Sequence, residues 1–119
     1  MASNKTKHKR GDVWLVDLDP QNRPDEIAKE RPALIIQSDE LNAYMNNTVI
    51  LPFTTAIVDD SEPLRINYTL DFLKRNSDLV ISQPKTISCS RLIRKLGTLP
   101  ADEMSKISQY FGIVLGIGR

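Results

Sequence analysis

The sequence contains one histidine, His8, and one cysteine, Cys89. We place His8 in a flexible basic arm at the N-terminus, so neither a serine–histidine triad nor a pair of histidine acid–base catalysts can be assembled in the folded domain. A lone cysteine forms no internal disulfide, and without an ordered histidine beside it no zinc site is expected. These absences exclude the common histidine- and zinc-dependent hydrolases, and they predict a reducing compartment, the cytoplasm.

The sequence also lacks a phosphate-binding glycine loop, a long apolar run and a strong net charge. Its glycines stand at positions 11, 97, 112, 116 and 118, which is not the pattern of a nucleotide-binding loop. No window of about 18 or more apolar residues is present, so we predict no membrane segment. The formal net charge of +1 argues against coating of duplex DNA by bulk charge. Carboxylates such as Asp59, Asp60 and Asp71 fall in loop contexts, and we predict neither a metal nor a cofactor.

Length and composition describe the domain organisation. The 119 residues, of which 40% are hydrophobic, predict one globular domain over residues 10–119, preceded by the basic arm at residues 1–9. A chain of this length buries only a modest core, so pairing with a second copy would add stability. Dimerisation is therefore plausible on length alone.

Apolar residues in the first half of the chain follow strand patterns. The stretch "GDVWLVDLDP" predicts a strand closed by a turn, and residues 20–30 predict an exposed loop. "RPALIIQS" is an uninterrupted apolar run, typical of a strand that is buried on both faces. After a helical turn or loop at "DELNAYMNN", the stretch "TVILPFTT" predicts a third strand, in which Pro52 indicates an edge or a bulge.

The second half continues the β pattern and ends in a helix. The stretches "LVISQ" and "PKTISCSRLIRKLGTLP" predict two or three more strands with a polar bend around Ser88–Ser90. The alternation in "LRINYTL" predicts a half-buried strand with inward residues Leu64, Ile66, Tyr68 and Leu70. The last apolar residues recur at helical spacing and predict one amphipathic helix that covers the sheet; they are Met104, Ile107, Phe111, Val114 and Leu115.

Arg31 stands between the charged segment "EIAKE" and the apolar strand "PALIIQ". Pro32 restricts the backbone beside it, and a planar guanidinium matches two phosphate oxygens at once. The residues alone leave two interpretations open: a phosphate-binding arginine mounted at a strand end, or a surface salt-bridge partner of the neighbouring glutamates. The threonine pair at 54–55 is likewise either catalytic or ordinary strand composition.

Four motifs follow one another in a specific order. They are "RGDVWLVDLDP", a glutamate five residues before "RPALIIQ", "ILPFTT" and "SQPKTISCSRLIRKLGTLPADEM". Together they resemble the MazF/PemK family of toxin endoribonucleases over nearly the whole chain from Arg10. The resemblance implies a mainly β, α+β fold: a small curved antiparallel β-barrel of the SH3-like, PemK/CcdB-like kind with a C-terminal α-helix. It also implies a homodimer, metal-independent cleavage of single-stranded mRNA that blocks translation, and inhibition by a cognate antitoxin protein.

The resemblance assigns site residues one by one. Arg31 matches the family's catalytic arginine, because both precede a proline at the start of the second long strand. Thr54 matches the catalytic threonine when "PFTT" is laid over the family's P-x-T-T, and Thr55 takes this place if the register slips by one. Glu26 matches an acidic loop residue, and acts either as the base or only as a partner of Arg31. The residues expected to bind RNA are Arg23, Lys29, Thr55, Gln83 and Lys85.

Two departures from the family pattern keep alternatives open. The loop "RPDEIAKERP" has no glycine where many relatives have two, which implies a stiffer loop and altered RNA access. Ser82 precedes Gln83 where many relatives carry Asp or Glu, which removes a group proposed to move a proton. The alternatives are a CcdB-like inhibitor of DNA gyrase that cleaves nothing, and an inactive relative. For Lys85 the alternative is an ordinary strand-edge lysine.

Overall fold

The computed structural model describes residues 7–18 and 30–117. This part of the chain contains seven β-strands, two α-helices and one 3-10 turn. The elements are β1 (Asp12–Asp17), β2 (Glu30–Ile35), α1 (Asp39–Asn42), β3 (Asn47–Thr54), β4 (Arg65–Tyr68), β5 (Ser77–Val80), β6 (Lys85–Ser88), the 3-10 turn (Cys89–Arg91), β7 (Leu92–Thr98) and α2 (Ala101–Leu115).

All strand pairs in the sheet are antiparallel, and β3 is its centre. The order is β4-β5-β3-β2-β1-β7, and β6 pairs with the first half of β3. Between the described strands the path stays open from β4 to β7, so the sheet is curved but not closed into a complete barrel. The predicted fold, a small curved antiparallel sheet with a C-terminal helix, is confirmed.

Pro52 was expected to mark an edge or a bulge, and the edge prediction is wrong because β3 has partners on both sides. On one side Pro52 faces Ala33 of β2. On the other side β6 pairs with β3 only as far as Ile50, and β5 takes over from Phe53. Proline lacks a backbone N–H, and here it lies at the gap between two partner strands, where no ladder bond is lost.

The sheet has an apolar cluster on each face, because alternate residues of β2 and β3 point to opposite sides. Leu34, Leu51 and Phe53 belong to the larger cluster under helix α2, whereas Ala33 and Ile35 belong to the smaller cluster on the other face. Residues 33–35 have no exposed surface. The prediction of a strand buried on both faces is confirmed.

Helix α2 closes the larger cluster as the apolar spacing predicts. Ile107 is 1% exposed, and the Tyr68 hydroxyl donates to Glu103 Oε1 at 2.6 Å. Burial and this hydrogen bond raise the pKa of Tyr68. The helix ends at Gly116, which has φ 74°, and the N–H of Ile117 donates to the Gly112 carbonyl at 2.9 Å, as in a Schellman cap. No helix among the described residues is long and apolar enough to cross a membrane.

The N-terminal residues of the described chain pack against the domain. Gly11 has φ 96°, and the turn lets the Lys9 N–H donate to Asp12 Oδ2 at 2.9 Å. The Arg10 side chain donates to the Ile36 carbonyl, just after β2, and to the Ser108 hydroxyl on α2. The "RG" of the first motif is thus structural.

His8 was expected in a flexible arm, and this prediction is wrong. Its side chain is 3% exposed, with Nε2 3.7 Å from the Cys89 sulfur. The turn at Gly11 folds the chain back and buries the imidazole beside the 3-10 turn. Burial raises the pKa of the Cys89 thiol. Residues 1–6 of the predicted arm lie outside the described residues.

The alternation predicted for "LRINYTL" holds at Ile66 and Tyr68 but not at Leu64. Leu64 is 50% exposed, whereas Ile66 and Tyr68 are buried. Strand β4 begins at Arg65, and Leu64 still belongs to the preceding turn, where its N–H donates to the Ser61 carbonyl at 2.8 Å. Turn geometry therefore overrides the period of two at this end.

Candidate active site

A cavity of about 620 Å³ lies where β2 begins and β3 ends. Its apolar floor is a row of cross-strand neighbours, in which Leu15 of β1 faces Pro32 of β2 and Phe53 follows on β3. The other residues around it come from β2, β3, β7 and the turn between β4 and β5; they are Glu30, Arg31, Thr54, Thr55, Phe72, Leu73, Lys74, Arg75, Ser77, Arg94 and Leu96. A volume of this size suits a small-molecule or nucleotide-sized group.

Strand pairing brings Arg31 and Thr54 together. The pairs between β2 and β3 end at Ala33 and Pro52, and Arg31 and Thr54 lie two residues beyond that pair on the two strands. Both residues line the cavity. The described structure thus places the two predicted residues at one cavity, and their catalytic roles remain predictions.

The guanidinium of Arg31 is exposed at the cavity. Among the described residues its hydrogen bond is a long one, 3.4 Å from Nη1 to the Glu30 carbonyl. Arginine has five N–H donors, so most of them have no hydrogen-bond partner among the described residues. The described part of the chain thus leaves the guanidinium in a state to receive a phosphate.

The two threonines differ in their local bonding. The Thr54 hydroxyl accepts the Ala56 N–H at 3.1 Å, which fixes the oxygen while its own hydrogen stays able to donate. Thr55 is more exposed, and it also lines the cavity. Thr54 is the last residue of β3, and Thr55 follows just after the end of this strand.

Three further cations line the cavity, and the sequence analysis did not select any of them. Lys74 and Arg75 lie in the turn between β4 and β5, and Arg94 lies on β7 opposite Leu15. The only signals in the sequence were the basic pair in "FLKR" and a charge within the apolar strand "LIRKL". Glu30 is the only carboxylate among the described residues that line the cavity. The described lining of the cavity is therefore basic although the whole chain is nearly neutral.

The remaining predicted site residues lie either away from this cavity or outside the described residues. Gln83 and Lys85 are exposed near the start of β6, where Lys85 pairs with Ile50, and neither lines the cavity. Arg23, Glu26 and Lys29 lie outside the described residues. The roles assigned to all five stay predictions.

A buried carboxylate fixes the chain that follows the two threonines. Asp78 is 1% exposed, and its Oδ2 accepts the Val58 N–H at 2.9 Å and Arg65 Nη1 at 3.1 Å. The same Arg65 nitrogen donates to the Ala56 carbonyl at 2.8 Å, and Asn67 donates to Asp78 Oδ1 at 3.0 Å. This cluster ties residues 56–58 to β4 and β5, and so holds the end of β3 where Thr54 lies.

The pKa of Asp78 reflects this environment. Burial acts to raise the pKa, but the hydrogen bonds from Val58, Asn67 and Arg65 and the charge of Arg65 outweigh it and hold the pKa below its ordinary value. Asp78 is therefore ionised at neutral pH. Within residues 7–18 and 30–117, no group of three or more His, Cys, Asp or Glu side chains is arranged to hold a metal ion.

Comparison with known proteins decides the family. Residues 9–115 match the family model described as PemK-like, MazF-like toxin of type II toxin-antitoxin system. The chain belongs to this family. Among the curated members, Endoribonuclease MazF of Staphylococcus epidermidis is 30% identical over 116 residues, which cover 93% of each chain.

Solved structures of MazF toxins share the fold of this chain. "Endoribonuclease from Mycobacterial species" superposes with a TM-score of 0.75 at 19% identity and covers 96% of each chain. The MazE-MazF complex (Form-II) from Deinococcus radiodurans gives a TM-score of 0.77 at 19% identity, covering 93% of this chain and 97% of that one. The curved sheet with a terminal helix is thus the PemK/MazF fold.

Removing the Asp78 carboxylate should destabilise the domain. In Asp78→Ala, Arg65 and two N–H donors lose a buried acceptor, so we expect the free energy of unfolding to fall by about 2–4 kcal/mol. Urea denaturation followed by circular dichroism measures this change. The exposed Asp59→Ala, in the loop between β3 and β4, is the control and should shift stability by about 0.5 kcal/mol or less.

The contribution of the Asp78 carboxylate to the free energy of unfolding should depend on pH. Because the folded-state pKa of Asp78 is lowered, its stabilisation is fully present above about pH 4, the ordinary Asp pKa, and is lost as the pH falls through the folded-state pKa. The stability difference between wild type and Asp78→Asn should therefore narrow below pH 4. A difference that stays constant from pH 7 to pH 3 would show that the carboxylate charge does not stabilise the fold.

Proposed function

We propose that this chain is a sequence-specific, metal-independent endoribonuclease that cleaves single-stranded RNA, the toxin of a type II toxin-antitoxin system. The observation that carries the proposal is the cavity that unites Arg31 with Thr54 and three further cations. Membership of the PemK/MazF family and similarity to the endoribonuclease MazF of Staphylococcus epidermidis support it.

The reaction that suits these residues uses the RNA's own 2′-hydroxyl. The 2′-oxygen attacks the adjacent phosphorus and loses its proton, a new 2′-O–P bond forms, and the P–O5′ bond breaks. The leaving 5′-oxygen takes up a proton, so the products are a 2′,3′-cyclic phosphate and a 5′-hydroxyl. The protein has to align the attack, move two protons and stabilise the extra negative charge on the phosphate.

Arg31 is suited to the charge-stabilising role. Its fork of N–H donors matches the two non-bridging oxygens, and these contacts strengthen as negative charge develops. A guanidinium has five N–H donors and no acceptor, so Arg31 is poorly suited to act as the general base. Thr54 is suited to orient the attacking hydroxyl or a phosphate oxygen. Glu26 remains the proposed base, with an ion pair to Arg31 as its alternative role.

Lys74, Arg75 and Arg94 supply positive charge around the reacting phosphate. A single strand of RNA carries one phosphate per nucleotide, so a strand that crosses the cavity needs counter-charges on both sides of the scissile bond. Four cations against one described carboxylate, Glu30, meet this need. Gln83, Lys85, Arg23 and Lys29 stay proposed contacts for RNA beyond the cavity.

The same basic surface suits a cognate antitoxin. Acidic disordered segments fold onto basic grooves by charge complementarity, and an occupied cavity would exclude RNA. The solved MazE-MazF complexes of Deinococcus radiodurans support an antitoxin partner. We propose that the toxin acts as a homodimer in the cytoplasm, where its mRNA substrate is found.

The alternative of a CcdB-like gyrase inhibitor is not favoured. An inhibitor that only binds gyrase has no need of an arginine and a threonine together at a basic cavity. The relatives found by comparison are named endoribonucleases and MazF toxins instead.

Purified protein should cut RNA in the presence of a chelator. Incubation with a long single-stranded RNA in EDTA, followed by mapping of the 5′ ends, should give discrete cuts at one short motif. Supercoiling by DNA gyrase, assayed in parallel, should be unaffected. Intact RNA together with arrested supercoiling would favour the gyrase inhibitor, and intact RNA with normal supercoiling would favour an inactive relative.

Removing the guanidinium of Arg31 should slow cleavage strongly. We expect Arg31→Ala to cost about 2–4 kcal/mol of transition-state stabilisation, on the order of 100-fold in kcat, with a smaller change in KM. Arg31→Lys keeps the charge but loses the fork, and should recover only part of the rate. Lys106→Ala, on the outer part of helix α2, is the control and should cleave normally. Equal rates for Arg31→Ala and wild type would remove Arg31 from the mechanism.

Valine substitutions distinguish the two threonines. Thr54→Val keeps the shape of the side chain and removes only the hydroxyl, so we expect kcat to fall about tenfold or more if this hydroxyl orients a reacting oxygen. Thr55→Val should change KM more than kcat. Single-turnover cleavage of one short substrate measures both. The reverse result would move the catalytic role to Thr55.

A further inference from the structure

The ring of Phe72 forms one wall of the cavity. It lies in the turn between β4 and β5, two residues before Lys74, and it lines the cavity together with Lys74, Arg75 and Arg94. The ring is only partly buried and packs against the larger apolar cluster. One part of its surface is therefore in the core, and another part faces the space beside the cations.

The Phe72 ring packs directly against Gly97 of β7. A Cβ added at Gly97 would lie 2.2, 2.4 and 2.5 Å from three carbons of the Phe72 ring. No side chain fits there, so the ring is in direct contact with the Gly97 backbone. The strand behind the ring prevents it from moving away when a ligand presses on its cavity side.

Hydrogen bonds from Asn76 fix the turn that carries Phe72. Asn76 Nδ2 donates to the Tyr68 carbonyl at 3.0 Å and to the Thr69 hydroxyl at 2.7 Å. Asn67 Nδ2 donates back to Asn76 Oδ1 at 2.9 Å. The two ends of the turn are thereby joined, and the aromatic ring is preorganised before any ligand binds.

We propose that Phe72 is a stacking platform for one RNA base next to the reacting phosphate, with Lys74, Arg75 and Arg94 on the flanking phosphates. A fixed aromatic face surrounded by cations is the combination that binds single-stranded nucleic acid, because bases stack on the ring while the phosphates contact the charges. This inference rests on the proposed nuclease function. It assigns to Phe72 a part in substrate binding and site preference, and none in proton transfer.

Abasic nucleotides test the platform directly. The probe is a short oligoribonucleotide that contains the mapped cut site and a 2′-deoxynucleotide at the scissile position to prevent cleavage. Removing one base near the cut should weaken wild-type binding on the order of tenfold, in line with the strength of base–aromatic stacking. Phe72→Leu should bind the intact probe equally weakly and should not respond to that abasic position. Phe72→Tyr should restore both the affinity and the response.

Phe111→Leu is the matched control. It makes the same change at a partly buried ring that packs against the same cluster, on helix α2 and away from the cavity, so it should bind the intact and abasic probes as wild type does. If Phe72→Leu also responds to the abasic position as wild type does, the platform is disproved while RNA cleavage stands. If wild type neither cuts nor binds RNA, the nuclease function itself has failed.

A tryptophan at this position gives a second measurement that does not depend on Phe72→Leu folding well. Phe72→Trp keeps an aromatic ring on the platform, and stacking should quench its fluorescence when the intact probe binds. The probe that lacks the stacked base should not quench it. The wild-type protein, whose one tryptophan is Trp14, gives the background signal. Binding without quenching in Phe72→Trp would contradict the proposal.

Discussion

In the ladder between β2 and β3, Ala33, Leu34 and Ile35 face Pro52, Leu51 and Ile50. Residues 33–35, together with Ile50 and Leu51, have no exposed surface. Because neighbouring residues belong to apolar clusters on opposite faces, a slip of one residue in either strand would move the side chains of that strand to the opposite face. Arg31 and Thr54 lie two residues beyond the end of this ladder, on β2 and β3. Two polar residues far apart in the sequence are thus brought to one cavity by the burial of apolar ones.

The distribution of charged residues is the second feature on which the candidate site depends. The chain has 16 basic and 15 acidic side chains, yet four cations and one described carboxylate line the cavity. Carboxylates elsewhere are engaged in structure: Asp78 binds Arg65, and Asp12 lies 3.4 Å from the Lys95 ammonium. A nearly neutral protein can therefore present a local field that attracts an RNA strand without binding duplex DNA indiscriminately.

Periodicity predicted the strands and the terminal helix, because the burial of one or two faces of an element determines the spacing of its apolar residues. The predictions that were wrong concern tertiary context. Pro52 lies in the central strand because two different partners leave a gap beside it, and His8 is buried because a turn at Gly11 folds the chain back. Neither cause is visible in local composition.

The candidate site likewise contains residues that the sequence predicted and residues that it did not. Arg31 and Thr54, which line the cavity, could be selected because they belong to motifs that the family shares. Arg94 was not selected, and it reaches the cavity from β7, where it faces Leu15 of β1. Lys74, Arg75 and Phe72 were not selected either, since a turn residue reaches the cavity only when the hairpin of β4 and β5 lies across Gly97 of β7. No local sequence pattern indicates this long-range contact.

The proposed mechanism requires that this cavity promotes attack by the RNA's own 2′-hydroxyl. Replacing only the nucleotide on the 5′ side of the mapped cut by its 2′-deoxy counterpart tests it most directly, because binding is retained while the nucleophile is removed. We expect cleavage at that bond to stop and binding to stay within about twofold, since one hydroxyl contributes little to stacking and phosphate contacts. Cleavage of the 2′-deoxy substrate at the normal rate would contradict the mechanism, because an external nucleophile would then be attacking the phosphate.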